Sequence, residues 1–447
     1  MRATGERMGA ADTAWWRMEE PSNPMAITGV LTFGAPLEFA RLERRVRERM
    51  LPLAPFRCRP REGRFGLGRP RWEEDPHFAL GRHLFRVALP APAGDAELRA
   101  LVSRVMGEPL DARHPLWRMV LVENHAGGAA LVARLHHCIA DGMALIQLLL
   151  SLDDVPGNEG SAHVGWNGPA CPPPGTPELL RPRLSPGRRA RLAAWTGAAL
   201  GRLVLLPPDR HTAFTGALGV EKSAAWSDPF PLAELRAAAR ASGSTLNDLL
   251  AAAAAGALRR YLAGRGRAAD ALRAVVPVNL RPPEDAGLLG NRFGLVFLRL
   301  PVGEADAGRR LARVRAEMRR LKASAEAGVT YALLRLFGPL GRAAVRFAVW
   351  FLGMKASLVF TDVPGPREAV SICGAPLTRL MAWVPQSGRL SVGISAVSYA
   401  GSLQVGIAAD RGLVPDPGAL VEAYRLALDE LVARAPVAGP PRVLQET

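Results

Sequence analysis

The sequence predicts a mixed α/β (α+β) protein with two domains, and three observations support this. The chain has 447 residues, which is long for one hydrophobic core. Residues 10–150 and the residues after 228 alternate between short β-branched runs, which favour strands, and longer apolar-periodic runs, which favour helices. Proline clusters at residues 171–175 and 207–208 interrupt that alternation. We therefore expect an N-terminal domain over residues 1–152, a linker over residues 153–227 and a C-terminal domain over residues 228–447.

The first domain ends with a strand followed by a helix. Residues 130–135 are apolar and partly β-branched, which predicts a strand, and residues 143–150 predict a helix. A histidine pair, His136 and His137, lies where the strand ends. Side chains alternate between the two faces of an extended segment, so only one of these histidines can face a cleft.

In the second domain, the sequence predicts helices first and strands last. Helices are expected after Ser244, over residues 309–322 and over residues 342–352, and strands over residues 389–410 with a turn at residues 399–401.

Two apolar segments could lie either at a membrane surface or against the protein itself. In the linker, residues 188–206 join arginines to an apolar run with Trp195, which is typical of a helix in a membrane interface and equally of a helix packed on the protein's own surface. A second apolar segment, residues 335–355, is expected to be core.

Composition excludes several classes of protein. The net charge is +16, but almost all basic residues are arginine, with lysine only at 222, 322 and 355, and no nucleic-acid motif is present, so we expect no nucleic-acid partner. A basic surface would still attract phosphates and anionic lipid head groups. The four cysteines show no CxxC spacing, which argues against a zinc site or a disulfide framework and favours a reducing, cytoplasmic setting. No apolar run is long enough for a secretory signal or a membrane span.

The segment at residues 135–142, Leu-His-His-Cys-Ile-Ala-Asp-Gly, carries the chemistry. Imidazole titrates near neutrality, so a histidine here can take a proton from a hydroxyl and return it to a leaving group. Cys138 next to a histidine could be a nucleophile, but on extended backbone its side chain points away from that of its neighbour. Asp141 could simply cap the following helix.

The pattern HHxxxDG resembles the signature of CoA-dependent acyltransferases with a chloramphenicol-acetyltransferase-like fold, a group that includes the condensation domains of peptide synthetases. Other segments narrow the resemblance to the bacterial wax ester synthase/acyl-CoA:diacylglycerol acyltransferase family, over roughly residues 10–433. They are the residues Ala-Asp-Thr-Ala-Trp-Trp at 11–16 with Pro24-Met25, Pro115-Leu116-Trp117, Asn247-Asp248, Val-Asn-Leu-Arg-Pro at 278–282, Gly-Asn-Arg-Phe-Gly at 290–294 and Val-Pro-Gly-Pro at 363–366. One departure is Thr361-Asp362, where the family commonly has Asn before Val-Pro-Gly-Pro.

The resemblance implies an active-site channel between two domains, with His137 as the general base and Asn247 as a catalytic amide that hydrogen-bonds the oxyanion or the acceptor hydroxyl. It also implies that His136 faces inward and that Asp141 pairs with an arginine, for which we choose Arg281. Supporting positions are Gly142 and Asp248, and Pro115, Leu116 and Trp117 are expected near the acyl channel.

The resemblance further implies an acyl-CoA-dependent O-acyltransferase that esterifies a long-chain alcohol or diacylglycerol without a metal or a resident cofactor, acyl-CoA being a co-substrate. Because the products are too apolar for water, we expect a cytoplasmic protein held at the inner face of the membrane or at lipid droplets. Two alternatives stay open. One is a condensation-type acyltransferase that uses a carrier-protein-bound donor, and the other is a non-catalytic lipid-binding member of the fold.

Overall fold

The computed structural model describes residues 5–152, 186–282 and 289–434, and for residues 186–193 the backbone only. The helices are α1 (Ala10–Met18), α2 (Phe39–Arg49), α3 (Asp95–Gly107), α4 (Gly142–Leu150), α5 (Pro186–Leu205), α6 (Leu232–Ala241), α7 (Leu246–Ala263), α8 (Ala307–Lys322), α9 (Glu326–Phe337), α10 (Arg342–Gly353) and α11 (Pro417–Ala433). The strands are β1 (Ala26–Phe33), β2 (Cys58–Arg61), β3 (Arg71–Glu74), β4 (Leu84–Val87), β5 (Trp117–Val122), β6 (Ala129–His136), β7 (Lys222–Trp226), β8 (Phe230–Pro231), β9 (Leu272–Asn279), β10 (Phe293–Leu300), β11 (Leu358–Pro364), β12 (Ser371–Ile372), β13 (Ala375–Trp383), β14 (Val392–Tyr399) and β15 (Ser402–Asp410).

The first sheet has the strand order β12-β13-β1-β6-β5-β4. β6 pairs antiparallel with β1 and with β5, so the strand that ends at His136 lies at the centre of the sheet. Every residue of β1 and β6 is buried, because the sheet is covered on both faces. β13 also belongs to this sheet, although it comes from the second half of the chain.

The second sheet has the order β10-β9-β11-β14-β15-β7, with β8 paired to the end of β15. β11 runs parallel to both of its neighbours, β9 and β14. The Ala-rich helix α7 packs with α11 and α8 in a core on one face of this sheet. β7 falls inside the predicted linker but pairs with β15, so regular structure resumes before residue 227.

The two sheets pack closely where β13 meets β15. The indole of Trp383 lies so near Gly406 that a Cβ at residue 406 would fall 2.5 Å from Trp383 Nε1. Trp226 packs against Trp383, with ring centroids 5.8 Å apart. Only glycine fits at 406, because any larger residue would collide with the indole of Trp383.

The predicted mixed α/β class is confirmed, and the elements expected from periodicity are present within a few residues. The observed strand Ala129–His136 and helix Gly142–Leu150 replace the predicted 130–135 and 143–150. The domain boundaries stay a prediction, with one structural qualification: since β13 lies in the first sheet and β7 in the second, neither sheet comes from one continuous stretch. The predicted linker between residues 153 and 185 lies outside the described residues.

The two apolar segments behave differently from one another. In the described part of α5, the side chains of Ala199 and Leu203 are buried, and Trp195 packs against the same cluster of apolar side chains. The arginines at 188, 189 and 191 lie outside the described side chains. The expectation that residues 335–355 are core is wrong for α10, where Phe347 and Trp350 are exposed and only Val345 and Gly353 are buried. Within the part of the chain that the structure describes, no helix is long and apolar enough to cross a bilayer.

Candidate active site

The loop that carries the histidine pair is closed by Asp141. Its Oδ1 accepts from the backbone N of Ala144 at 2.9 Å, which caps α4. Its Oδ2 accepts from Arg281 Nη2 at 2.8 Å, and the same nitrogen donates to the carbonyl oxygen of Gly290 at 2.7 Å. Both side chains of this ion pair are about one-tenth exposed. Asp141 is therefore a helix cap and also one half of a buried ion pair that joins the loop to the second half of the chain.

His137 lies at the junction of the two halves and is 3% exposed. Its Nδ1 is 2.8 Å from Asn291 Oδ1. The orientation of that amide is fixed because Asn291 Nδ2 donates to Asp12 Oδ1 at 2.9 Å and to the carbonyl oxygen of His137 at 2.5 Å. Asn291 therefore presents its oxygen to the ring, and His137 Nδ1 must carry the proton. The lone pair of the neutral imidazole is left on Nε2.

Aromatic packing fixes the plane of the imidazole. The ring of Trp15 stacks on His137 with centroids 4.2 Å apart and planes within 11°, and Phe293 lies 5.5 Å away. Burial lowers the pKa of His137 to about 4, against opposing effects from the carboxylate of Asp141 and the bond to Asn291. The imidazole is thus neutral at pH 7 and available as a proton acceptor.

His136 faces the interior on the other side of the strand. Its Nδ1 accepts from the backbone N of Cys138 at 3.0 Å, so the proton is on Nε2, which lies 3.3 Å from Glu19 Oε2. The ring packs against Trp16 at 5.7 Å. His136 therefore stabilises the turn after β6.

The three residues Pro115, Leu116 and Trp117 support the same turn from the neighbouring strand. The backbone N of His136 donates to the carbonyl oxygen of Leu116 at 3.0 Å. Trp117 is buried and donates from Nε1 to the carbonyl oxygen of Phe56 at 3.0 Å. These contacts give the motif a supporting role, while proximity to an acyl channel stays a prediction.

Asn247 and Asp248 lie in the first turn of α7. The carboxylate of Asp248 accepts from the backbone N of Thr245 at 2.9 Å, and Thr245 Oγ1 accepts from the backbone N of Asp248 at 3.2 Å, which forms a capping box. The side chain of Asn247 is exposed and makes no hydrogen bond with the described residues. The structure therefore does not bring Asn247 into contact with His137, and its role as an oxyanion donor stays a prediction.

Sequence reasoning missed the residues that hold the base. Asp12, Trp15 and Asn291 were noted only as parts of motifs, because nothing local connects positions 154 residues apart. The link is made by Gly290, whose backbone N donates to the carbonyl oxygen of Ile139 at 2.9 Å, so that Asn291 follows directly beside the histidine loop.

The described residues contain no group of three or more His, Cys, Asp or Glu side chains that could hold a metal ion. Cys138 is buried in the hydrophobic core of the first sheet, and its backbone N donates to Nδ1 of His136. What the arrangement offers chemically is one neutral, buried imidazole whose Nε2 has no hydrogen-bond partner among the described residues.

Solved structures show the same two-domain α/β fold. The wax ester synthase/diacylglycerol acyltransferase from Marinobacter aquaeolei VT8 aligns with a TM-score of 0.70 at 21% identity over 97% of this chain and 100% of that one. The first condensation domain of the calcium-dependent antibiotic synthetase aligns with a TM-score of 0.65 at 19% identity, over 97% and 98% of the two chains.

Family models separate these two possibilities. Residues 8–250 match the wax ester synthase/diacylglycerol acyltransferase catalytic domain, and residues 289–432 match the C-terminal domain of the same family. A probable diacylglycerol O-acyltransferase from Mycobacterium tuberculosis is 30% identical over 86% of both chains, and a putative one from the same species is 32% identical over 89% of both. The chain belongs to the wax ester synthase/diacylglycerol acyltransferase family and is an acyltransferase.

Proposed function

We propose that the protein transfers an acyl group from acyl-CoA to the hydroxyl of a long-chain alcohol or diacylglycerol, with His137 as the general base. The observation that carries this proposal is the tautomer of His137. Asn291 Oδ1 holds the Nδ1 proton, so Nε2 is the basic nitrogen in a water-poor junction between the two halves. The names of the family and of the mycobacterial relatives supply the substrate class.

The transfer is direct. His137 Nε2 takes the proton of the acceptor hydroxyl as its oxygen attacks the thioester carbonyl carbon. The tetrahedral intermediate collapses with cleavage of the C–S bond, and the imidazolium returns the proton to the departing CoA thiolate. The stacked indole of Trp15 stabilises the transient imidazolium through its π face. General-base assistance of this kind contributes about 10²–10⁴ in rate.

The oxyanion needs a hydrogen-bond donor, for which two side chains are candidates. Asn247 is the candidate from sequence, and its exposed amide has no partner among the described residues to compete for it. Trp15 is the candidate from packing, since its Nε1 is buried beside the imidazole and has no partner among the described residues. Its position beside His137 makes this indole N–H available to donate to a substrate oxygen.

The test is a parallel assay of purified protein with palmitoyl-CoA against hexadecanol and a diacylglycerol, following thiol release and ester formation. His137→Ala should reduce turnover at least about 100-fold while the protein stays folded. His125→Ala is the matched control, because His125 is an equally buried histidine of the same sheet region that bonds Asp95. A folded His137→Ala protein with more than about one-tenth of wild-type turnover would contradict the assignment of the base.

A carrier-protein-bound donor is the alternative that the sequence left open, since condensation domains share the fold. It predicts transfer from an acyl group on phosphopantetheine attached to a carrier protein and no transfer from free acyl-CoA. A lipid-binding protein without activity would transfer from neither donor.

We propose that the reaction takes place at a lipid surface and that the protein docks through an apolar face. This face consists of large apolar side chains that are about half or more exposed, namely Phe65, Leu67, Leu336, Leu340, Phe347 and Trp350. Its two parts adjoin, because the backbone N of Gly68 donates to the carbonyl oxygen of Pro339 at 2.9 Å. An exposed apolar cluster of this kind is typical of an interaction site rather than of a free surface.

The aromatic and basic side chains around the apolar face favour a lipid surface as its partner. Phe65 is 85% exposed at the tip of its loop, and Phe347 and Trp350 lie one turn apart on α10. Exposed arginines flank them, with Arg64 over the ring of Phe65 and Arg342 and Arg346 on the same stripe of α10. Aromatic side chains with arginines at their border suit the interface of an anionic membrane or lipid droplet.

Co-sedimentation with vesicles tests this surface. Phe347→Gln/Trp350→Gln should reduce binding to phosphatidylcholine/phosphatidylglycerol vesicles while transfer to detergent-dispersed alcohol is kept. Leu426→Gln is the control, since Leu426 is a comparably exposed apolar side chain on α11. Equal sedimentation of the double variant and the wild type would refute the assignment and return attention to α5, which exposes Leu205.

A further inference from the structure

A cavity of about 670 Å³ lies beside the first sheet, on the outer side of the Pro115-Leu116-Trp117 motif. Pro115 and Trp117 line it. Strand β5 connects the cavity to the candidate active site. Its residue Trp117 pairs with Leu135 of β6, and the carbonyl oxygen of Leu116 accepts from the backbone N of His136. The volume is in the range of about 300–1,000 Å³ that is usual for small-molecule sites.

The cavity is strongly basic. Four arginines and three histidines line it, and Asp111 is the one carboxylate among the described lining residues. Asp111 is occupied by Arg113 in a two-pronged pair at 3.0 and 2.8 Å. Arg118 is paired with Glu108 at 2.8 Å.

Two of the arginines make no hydrogen bond or ion pair with a carboxylate among the described residues, although the buried carboxylate of Asp75 attracts Arg59 at longer range. Arg59 donates only to the carbonyl oxygen of Arg113 at 3.2 Å. Arg82 lies with Nη1 2.9 Å from Nε2 of His114, and the other ring nitrogen of His114 is held by Asp75 at 2.8 Å. Two guanidinium groups that keep most of their donors free over one cavity form a site for an anion, and their planar donor pattern matches phosphate.

His83 adds a neutral acceptor at the floor of the cavity. It is 3% exposed and stacked between Phe78 and Trp117, with centroids at 5.4 and 4.8 Å. Its Nδ1 donates to the carbonyl oxygen of Trp117 at 2.9 Å, so Nε2 carries the lone pair, and this buried atom has no partner among the described residues. A lone pair in this position can accept a hydrogen bond from an O–H or N–H group of a ligand.

We propose that this cavity binds a phosphate ester that also carries a hydroxyl or amino donor, with Arg59 and Arg82 on the phosphate and His83 Nε2 accepting from the donor group. The chemistry fits a phosphorylated nucleoside and excludes a purely apolar ligand. If the proposed function holds, one source of such a group is the phosphorylated adenosine end of acyl-CoA. The identification with CoA rests on that function, whereas the phosphate site does not.

Calorimetric titration with adenosine 3′,5′-bisphosphate tests the site directly. Binding should weaken as salt is raised. Arg59→Gln/Arg82→Gln should weaken it at least tenfold. Arg86→Gln/Arg104→Gln is the matched control, because it removes the same charge from exposed positions of the same half of the chain outside the cavity and should change binding less than twofold. Absence of binding to the wild type, or equal binding by the Arg59/Arg82 variant, would overturn the proposal.

Competition distinguishes the sources of the phosphate. If CoA displaces the bisphosphate and the Arg59/Arg82 variant has a raised KM for acyl-CoA at unchanged kcat, the ligand is the acyl donor. If inorganic phosphate displaces it and CoA does not, the phosphate site stands and its identification with CoA falls.

His83→Phe keeps the aromatic stack and removes the acceptor, so it should weaken the bisphosphate severalfold more than inorganic phosphate. Equal weakening of both ligands would overturn the role of His83. Failure of the proposed function would look different, because no alcohol would be acylated although the bisphosphate still binds.

Discussion

Replacement of Asn291 by leucine tests whether a single amide makes His137 a base. Leucine has nearly the same volume but can neither accept from His137 Nδ1 nor donate to the carbonyl oxygen of His137. Asp12 Oδ1 keeps the bond from the backbone N of residue 291 at 2.8 Å, so the carboxylate is not left alone.

The magnitude follows from the bonds that are lost. Two buried groups of His137, the Nδ1–H and the carbonyl, lose their hydrogen-bond partner, and each loss costs about 1–3 kcal/mol of stability. We therefore expect the free energy of unfolding to fall by about 2–6 kcal/mol. The imidazole is then free to move its proton to Nε2, which removes the lone pair that accepts the hydroxyl proton. We expect kcat to fall about 100-fold or more at little change in KM, within the usual contribution of a general base.

The assay combines urea unfolding with steady-state transfer measured well below the unfolding midpoint. Gln404→Leu is the matched control, since Gln404 is an equally buried amide whose Nε2 donates to the carbonyl oxygen of Ser227 at 3.0 Å, on the second sheet. The control should lose about 1–3 kcal/mol of stability and keep kcat. A folded Asn291→Leu protein with kcat within about threefold of wild type would refute the argument, because the tautomer would then not depend on Asn291.

Three further predictions concern His137, Asp141 and Asn247. The folded pKa of His137, about 4, lies below its ordinary value of 6.5, so the protein takes up a proton on unfolding between these two pH values. The free energy of unfolding should therefore be fully present above pH 6.5 and fall by about 3 kcal/mol as the pH drops to 4. Chemical denaturation at several pH values should show a flatter pH dependence of the free energy of unfolding for His137→Leu. Asp141→Asn keeps the helix cap but removes the carboxylate charge that faces Arg281, so the unfolding midpoint should drop by an amount equivalent to about 3 kcal/mol, whereas Arg86→Gln in the exposed Arg86–Glu123 pair should cost no more than about 1 kcal/mol. Asn247→Ala should lower kcat/KM by the equivalent of about 2–4 kcal/mol without changing stability if Asn247 donates to the oxyanion, while Thr245→Ala should show the reverse, a loss of about 1 kcal/mol of stability at constant kcat.

Local patterns predicted the parts of the site that depend on local physics. The strand before His136 and the helix after Asp141 follow from β-branched and apolar periodicity, and alternation along the strand requires the two histidines to face opposite sides. Burial of Trp117 follows from its size and apolar character. These features need no knowledge of distant residues.

What could not be predicted depends on contacts between segments far apart in the chain. β13 joins the first sheet because β1 offers it a free edge, and no pattern within residues 375–383 distinguishes the two sheets. The apolar run of α10 predicts a core helix, yet the exposure of Phe347 and Trp350 is decided by what is absent from the facing surface. Hydropathy measures the apolar character of a segment and contains no information about whether a partner covers it.

Contacts between distant segments also explain why the chemistry of His137 cannot be read from the HHxxxDG motif alone. His137 comes from the first half of the chain, as do Asp12 and Trp15, whereas Asn291 and Phe293 come from the second. The proton on Nδ1, the plane of the ring and the lowered pKa therefore all depend on the packing of one half against the other. Because Arg281 of the second half also holds Asp141, the histidine loop is fixed at both ends by residues that reach it only when the two halves are docked. A histidine in the isolated segment would titrate near 6.5 with its proton on either nitrogen. The motif supplies an imidazole, and the junction between the two halves makes it a base.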